Sequence, residues 1–208
     1  MLKIYNTLGK KLEEFRPLTP GHVNIYVCGP TVYGYLHVGN FRGPVFFNFV
    51  KNWLEYLGYK VTYALNFTDV DDKIIMRANE EGKTAEEVSE FFIDAYKKDF
   101  ADLGLTPHDH NPRVSEFMPH IVQFIEKLID NKMAYAVDGD VNYAIDHFKD
   151  YGKLSGRNID DLKVGVRIEA NEKKHHPLDF ALWKSAKENE NLRGSMWKSP
   201  WGEGRPGW

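Results

Sequence analysis

The first clear hydrophobic pattern falls at residues 22–28, HVNIYVC, where β-branched and aromatic positions alternate with polar ones until Gly29-Pro30 ends the run. A period of two over that length predicts a buried strand closing at Cys28. From Gly39 the apolar residues crowd into FRGPVFFNFVKNWLEYLG, a helical stretch in which Pro44 belongs near the start and Gly58 suits the end. Alternation returns at residues 60–67, KVTYALNF, and predicts a second strand after a short connection. Strand, helix and strand with short joints make the βαβ unit of a parallel sheet.

Polar signals then mark the helices. Thr68 stands three residues before Asp71 as a candidate N-cap, and Asp69, Asp71 and Asp72 crowd the expected first turn of a helix through KIIMRANEEG. Three acids there answer the helix dipole better than they describe a magnesium site. Thr84 with Glu87 predicts a capping box that opens an amphipathic helix through Leu103. Residues 106–113, TPHDHNPR, read as a polar loop, and a further helix follows over about 118–131. The pattern then shifts: Asp138-Gly139 separates two short apolar runs, 134–137 and 141–145, which predicts a tight hairpin and antiparallel pairing. The expected class is α/β, a doubly wound parallel sheet of Rossmann type carrying a mixed α+β insertion.

Composition narrows the chemistry. Hydrophobic residues make up 42% of the 208 and charged residues 27%, enough for a packed core and unlike a disordered chain. A net charge of −3 leaves no basic face for non-specific nucleic-acid binding, so any polyanion site must be local. The single cysteine, Cys28, excludes an internal disulfide. No apolar run approaches the roughly 18 residues of a membrane span, and the opening MLKIYNTLGKKLEEF is too polar for a signal peptide. These features predict a cytoplasmic protein with no membrane association.

The most informative stretch is CGPTVYGYLHVGNFR, residues 28–42, because it sets small and polar residues between a strand end and a helix start. In open α/β sheets ligands bind in that crevice, and a helix N-terminus offers unpaired N–H groups to phosphate. Gly39 permits close approach, while His37 and Asn40 can donate hydrogen bonds to phosphate oxygens. His108 with His110, and His175 with His176, have metal-like spacing but no partners in view, and are not read as metal sites.

The segment from Pro30 to Asn40, with Cys28-Gly29 before it, resembles the class I aminoacyl-tRNA synthetases, and among them the cysteine-specific branch. His37-Val38-Gly39-Asn40 is similar to their HIGH signature, with Asn40 in place of the second histidine. The resemblance continues through NFTDVDDKII, YGKLSGR, DFALWK and SPWGEGRPGW in the family's order. It implies ATP-dependent activation of cysteine to an adenylate and its transfer to cysteine tRNA. A ligase that passes cysteine to a small amino-sugar acceptor and a non-catalytic nucleotide-binding module stand as alternatives.

The resemblance also implies roles by position. His37 and Asn40 would be catalytic; Pro30, Thr31, His37, Gly39 and Asn40 would bind ATP, which arrives with magnesium. Cys28, Gly29, Thr68 and Trp208 would surround the substrate cysteine, and Cys28 would also be a zinc ligand, one zinc per full-length subunit. Zinc binds thiolate strongly, so it would select a thiol over the hydroxyl of serine. The resemblance further implies a monomer and an N-terminal portion of a longer enzyme, whose other zinc ligands, KMSKS loop and anticodon-binding helices follow Trp208. Residues 1–117 would be the first half of the catalytic domain, 118–195 a connective insertion and 196–208 the start of the second half.

Overall fold

The computed structural model describes residues 2–156, 174–187 and 191–207. In chain order the elements are β1 (Lys3–Asn6), β2 (Lys11–Glu14), β3 (His22–Val27), α1 (Val38–Tyr56), β4 (Lys60–Leu65), α2 (Asp72–Glu81), α3 (Ala85–Asp102), α4 (Met118–Asp130), β5 (Ala134–Val137), β6 (Asp140–Tyr143), β7 (Phe180–Ser185) and β8 (Gly204–Pro206). They divide into two compact units. One comprises Pro17–Met118 with Asn189–Met196, the other Met1–Arg16, Pro119–Glu188 and Trp197–Trp208.

In the first unit β3 and β4 pair in parallel, from His22 against Lys60 to Val27 against Leu65, with α1 as the crossover. The alternation read from the sequence decides which face is buried: Val61, Tyr63, Leu65 and Phe67 are at most 7% exposed. Tyr63, Leu65 and Phe67 pack against Phe41 of α1, Ile74 and Ala78 of α2, and Val88, Phe92, Ile93, Tyr96 and Phe100 of α3. Each fully buried apolar side chain of this kind contributes roughly 1.5–3 kcal/mol, so Phe67→Ala is a change this core would feel throughout.

Residues 110–113 lie beside β4 as an extended edge rather than a loop. Leu65 N donates to His110 O at 3.0 Å and Phe67 N to Pro112 O at 2.9 Å, with parallel bridges at Ala64–His110 and Phe67–Arg113. The sequence hides this pairing because Pro112 has no N–H, and side chains fill in: Asn111 Nδ2 donates to Leu65 O and Tyr63 N to Asp109 Oδ2. The cap of α2 also differs from expectation. Asp71, not Thr68, caps it by accepting from Lys73 N at 2.8 Å, and Gly82 ends the helix at φ 67°. Thr84 and Glu87 do form the predicted capping box of α3. Helix α1 begins at Val38, so Pro44 stands in its second turn and denies Asn40 O the usual helical donor.

The second unit holds the β1–β2 hairpin and an antiparallel sheet ordered β5-β6-β7-β8. Asp138 and Gly139 have φ of 50° and 84°, the pair of left-handed residues that a two-residue hairpin needs. Asp179, 2% exposed, accepts from Ile145 N, His176 N and Tyr135 Oη and thereby ties the chain before β7 to the hairpin. Among the described residues no helix is long and apolar enough to cross a membrane.

Candidate active site

Parallel strands finish side by side, so the segments after β3 and β4 meet at one edge of the sheet. Thr68 N donates to Pro30 O at 3.1 Å, and Val32 N donates to Thr68 O at 3.2 Å, with a parallel bridge between Thr31 and Thr68. Because the backbone holds Thr68, its hydroxyl is not spent on capping α2. Asn66 joins the two strand ends: its Oδ1 accepts from Gly29 N and from Tyr26 Oη, both at 2.9 Å. Its Nδ2 lies 3.4 Å from Thr68 Oγ1. A Cβ on Gly29 would fall 1.7 Å from Asn66 O, so no residue with a side chain fits there. Cys28, the preceding residue, is exposed.

Asp69 is not one of the helix-dipole acids. It is 7% exposed and accepts from Ser115 N at 3.1 Å and from Ser115 Oγ, which clasps the residues after Thr68 to the stretch formed by the 110–113 edge and the residues that follow it. Arg113 in that segment pairs with Glu90 of α3, which holds its guanidinium above the usual arginine range.

The N-terminus of α1 carries the predicted phosphate-facing residues. His37 is the N-cap; its Nδ1 accepts from Gly39 N at 3.0 Å, while Asn40 Oδ1 accepts from His37 N at 3.1 Å. Two consequences follow from donor and acceptor chemistry. An Nδ1 that accepts assigns the proton of the neutral imidazole to Nε2, and an Oδ1 that accepts leaves Asn40 with a free Nδ2 pair. The cap therefore turns two N–H donors outward. No acidic residue occupies the first turn, so the partial positive charge of the helix end is not neutralised locally. Gly39 serves the cap itself, since a Cβ there would stand 2.8 Å from His37 Cε1.

An open groove of about 950 Å³ runs along α1 from Leu36, His37 and Gly39 past Val45, Phe46 and Phe49 to Asp99, Asp102 and Leu103 near the end of α3. It shares His37 and Gly39 with the predicted site, but Cys28, Gly29, Pro30, Thr31 and Thr68 do not line it. Trp208 lies outside the described residues. Among the described residues no group of three or more His, Cys, Asp or Glu could hold a metal ion. Cys28 and its described neighbours alone therefore do not fit a zinc ion. The histidine pairs have other occupations. His108 packs edge-on to Tyr63 at 4.7 Å, and burial pushes it down to about 4. His175 stacks on Tyr135 at 3.7 Å, and His176 Nδ1 accepts from Leu178 N.

The sequence pattern does not single out Asn66 or Ser115, and it groups Asp69 with the helix-dipole acids. Asn66 had one usable signal, a polar residue at the end of an alternating strand, one step past the Val27–Leu65 pair of the parallel register. Ser115 had none, because it falls between the polar loop at 106–113 and the helix expected over about 118–131.

The family described as tRNA synthetases class I (C) catalytic domain matches residues 14–208. A protein named cysteine–tRNA ligase from Bdellovibrio bacteriovorus is 65% identical over 208 residues, 100% of this chain and 42% of the relative. Its namesake from Geobacillus sp. WCH70 is 53% identical over 207 residues, 100% of this chain and 44% of the relative. The chain thus spans less than half the length of these curated relatives. Among solved structures, a ternary complex of Agrobacterium radiobacter K84 LeuRS with tRNA and LeuAMS aligns with a TM-score of 0.50 at 18% identity, over 64% of this chain and 18% of that one. A putative arginyl-tRNA synthetase from Campylobacter jejuni aligns with a TM-score of 0.50 at 15% identity, over 65% and 40%. Those two likenesses concern the fold alone.

Proposed function

The chain belongs to the class I (C) tRNA synthetase catalytic-domain family, and from that premise we propose that the full-length protein activates cysteine with ATP and transfers it to cysteine tRNA. In the first step a carboxylate oxygen of cysteine attacks the α-phosphorus of magnesium-bound ATP; the new P–O bond makes cysteinyl-adenylate and pyrophosphate leaves. In the second step a hydroxyl of the tRNA's terminal ribose attacks the acyl carbon, and AMP leaves. Neither step needs a protein nucleophile, so the protein's part is positioning and charge stabilisation.

The capping box at His37 and Asn40 is the observation that carries this reading. Its outward donors, His37 Nε2–H and Asn40 Nδ2–H, with the N-terminal N–H groups of α1, suit the phosphate oxygens on which charge develops. Pro30 and Thr31 border the same strand-end crevice, and Gly39 keeps the cap in place. Cys28, Gly29 and Thr68 serve the amino acid, with Trp208 as an apolar wall. In this reading Cys28 would give one thiolate to a zinc ion completed by ligands outside the described residues, and the ion would favour a thiol substrate over a hydroxyl. The reading includes a cytoplasmic monomer. Relatives named for tRNA ligation do not favour the amino-sugar or non-catalytic alternatives.

Pyrophosphate exchange on the full-length protein, run with cysteine and with serine, tests the proposal. Exchange that depends on cysteine and fails with serine is expected. No cysteine-dependent exchange overturns it.

A further inference from the structure

The hydrogen bonds of Asn66 dictate the chemistry its neighbour can offer. Gly29 N and Tyr26 Oη can both donate, and both meet the same side-chain oxygen at 2.9 Å. With two donors on one atom, the amide cannot be flipped without opposing N–H to N–H at Gly29. Its NH₂ group is thereby directed to Thr68 Oγ1, at 3.4 Å, a long contact in the present geometry. Asn66 is half-buried, and its backbone oxygen lies so close to Gly29 that a Cβ there would fall 1.7 Å away.

We propose that Asn66 is a positioning residue that acts through Thr68, orienting its hydroxyl to donate to an acceptor atom of the bound amino acid. An oxygen that accepts from Asn66 Nδ2 keeps its own hydrogen for another partner. The crevice beside Cys28 and Gly29 is where that partner sits under the proposed function, on which this inference rests. The same amide holds Gly29 N, so one side chain sets both the backbone and the hydroxyl on the two sides of the substrate.

Asn66→Asp separates this role from a structural one. A carboxylate still accepts from Gly29 N and Tyr26 Oη, but it has nothing to donate to Thr68, whose hydroxyl then turns towards residue 66. In pyrophosphate exchange on the full-length protein, N66D should raise the KM for cysteine about tenfold, the scale of one hydrogen bond, and leave the KM for ATP and the melting temperature unchanged. Thr68→Val should raise the same KM to a similar extent, and the double variant should be no worse than either single one. A cysteine KM unmoved by N66D, an equal rise in the ATP KM, or single effects that multiply in the double variant would each overturn the positioning role. The unsubstituted protein reports separately on the function: absence of its cysteine-dependent exchange overturns that reading, and this inference with it.

Discussion

Helices α1 and α3 both open with a reciprocal cap, but the two are built from different atoms, and the N-cap side chain reaches the N–H two residues on at α1 and three residues on at α3. At α3, Thr84 Oγ1 accepts from Glu87 N while the Glu87 carboxylate accepts from Thr84 N. At α1, an imidazole nitrogen and an amide oxygen do the accepting. Both boxes satisfy helix-end N–H groups, and α3 adds Glu86 and Glu87 in its first turn, so its positive end is answered from within. Helix α1 has no first-turn acid, and each capping side chain retains an outward N–H. A cap that only stabilises a helix neutralises its dipole. A cap that serves a ligand closes the turn and leaves the field and the donors for that ligand.

The largest effect expected from this contrast lies in paired cap deletions. Thr84→Ala should lower stability by about 1 kcal/mol and leave adenylate formation by the full-length protein unchanged. His37→Ala should lower stability by a similar amount, about 1 kcal/mol, and also slow adenylate formation by about 10²- to 10³-fold, the usual loss for a donor aimed at transition-state charge. Chemical denaturation and single-turnover kinetics on both variants decide the matter. Equal kinetic losses, or none in either variant, would erase the distinction between the two boxes.

A subtler variant makes α1 resemble α3. Asn40→Asp keeps an acceptor for His37 N and adds a first-turn carboxylate, which should stabilise the helix by about 0.3–1 kcal/mol. It also removes the Nδ2 donor and sets a negative charge where phosphate is expected. The KM for ATP should therefore rise about 10- to 100-fold, the scale of a hydrogen bond to a charged group, while the melting temperature holds or increases. Stability and nucleotide use moving in opposite directions is the signature; a parallel loss of both would mean that residue 40 is only part of the cap.

Much of this arrangement was legible in the sequence because it rests on local rules. The alternation at 22–28 and 60–67, Gly58 at the helix end, the Thr84–Glu87 box and the Asp138-Gly139 hairpin are set by neighbours a few residues apart, and each stands in the structure. The residues missed depend on distant partners. The 110–113 edge pairs through the carbonyls of His110 and Pro112 and a borrowed side chain, so it has no strand periodicity to detect. Asp69 looks like its neighbours Asp71 and Asp72 until Ser115 arrives from 46 residues away. At the candidate site the sequence places His37 at the start of α1, but not its proton, since that follows from which nitrogen faces Gly39 N.

The smallest expected effect concerns acid. Hydrogen bonds from Thr84 N and then Thr84 Oγ1 lower the Glu87 pKa from its model-compound value of 4.5. A carboxyl lowered in the folded state stabilises it fully above the unfolded value, and that contribution fades as the pH falls through the folded value, because the unfolded chain takes up the proton first. Glu87→Gln keeps an acceptor for Thr84 N without the charge, so it should melt slightly below the unsubstituted protein at pH 7. That gap should close as the pH is brought from about 5 towards 3, the range bracketing an ordinary glutamate. Helix α1 has no carboxylate in its box and offers no corresponding term, so Asn40→Asp should introduce an acid-sensitive increment of its own that the unsubstituted protein lacks at that end. Melting curves of the three proteins across this range measure both terms. A gap for Glu87→Gln that is independent of pH would show that the two boxes differ in hydrogen-bond geometry and not in charge.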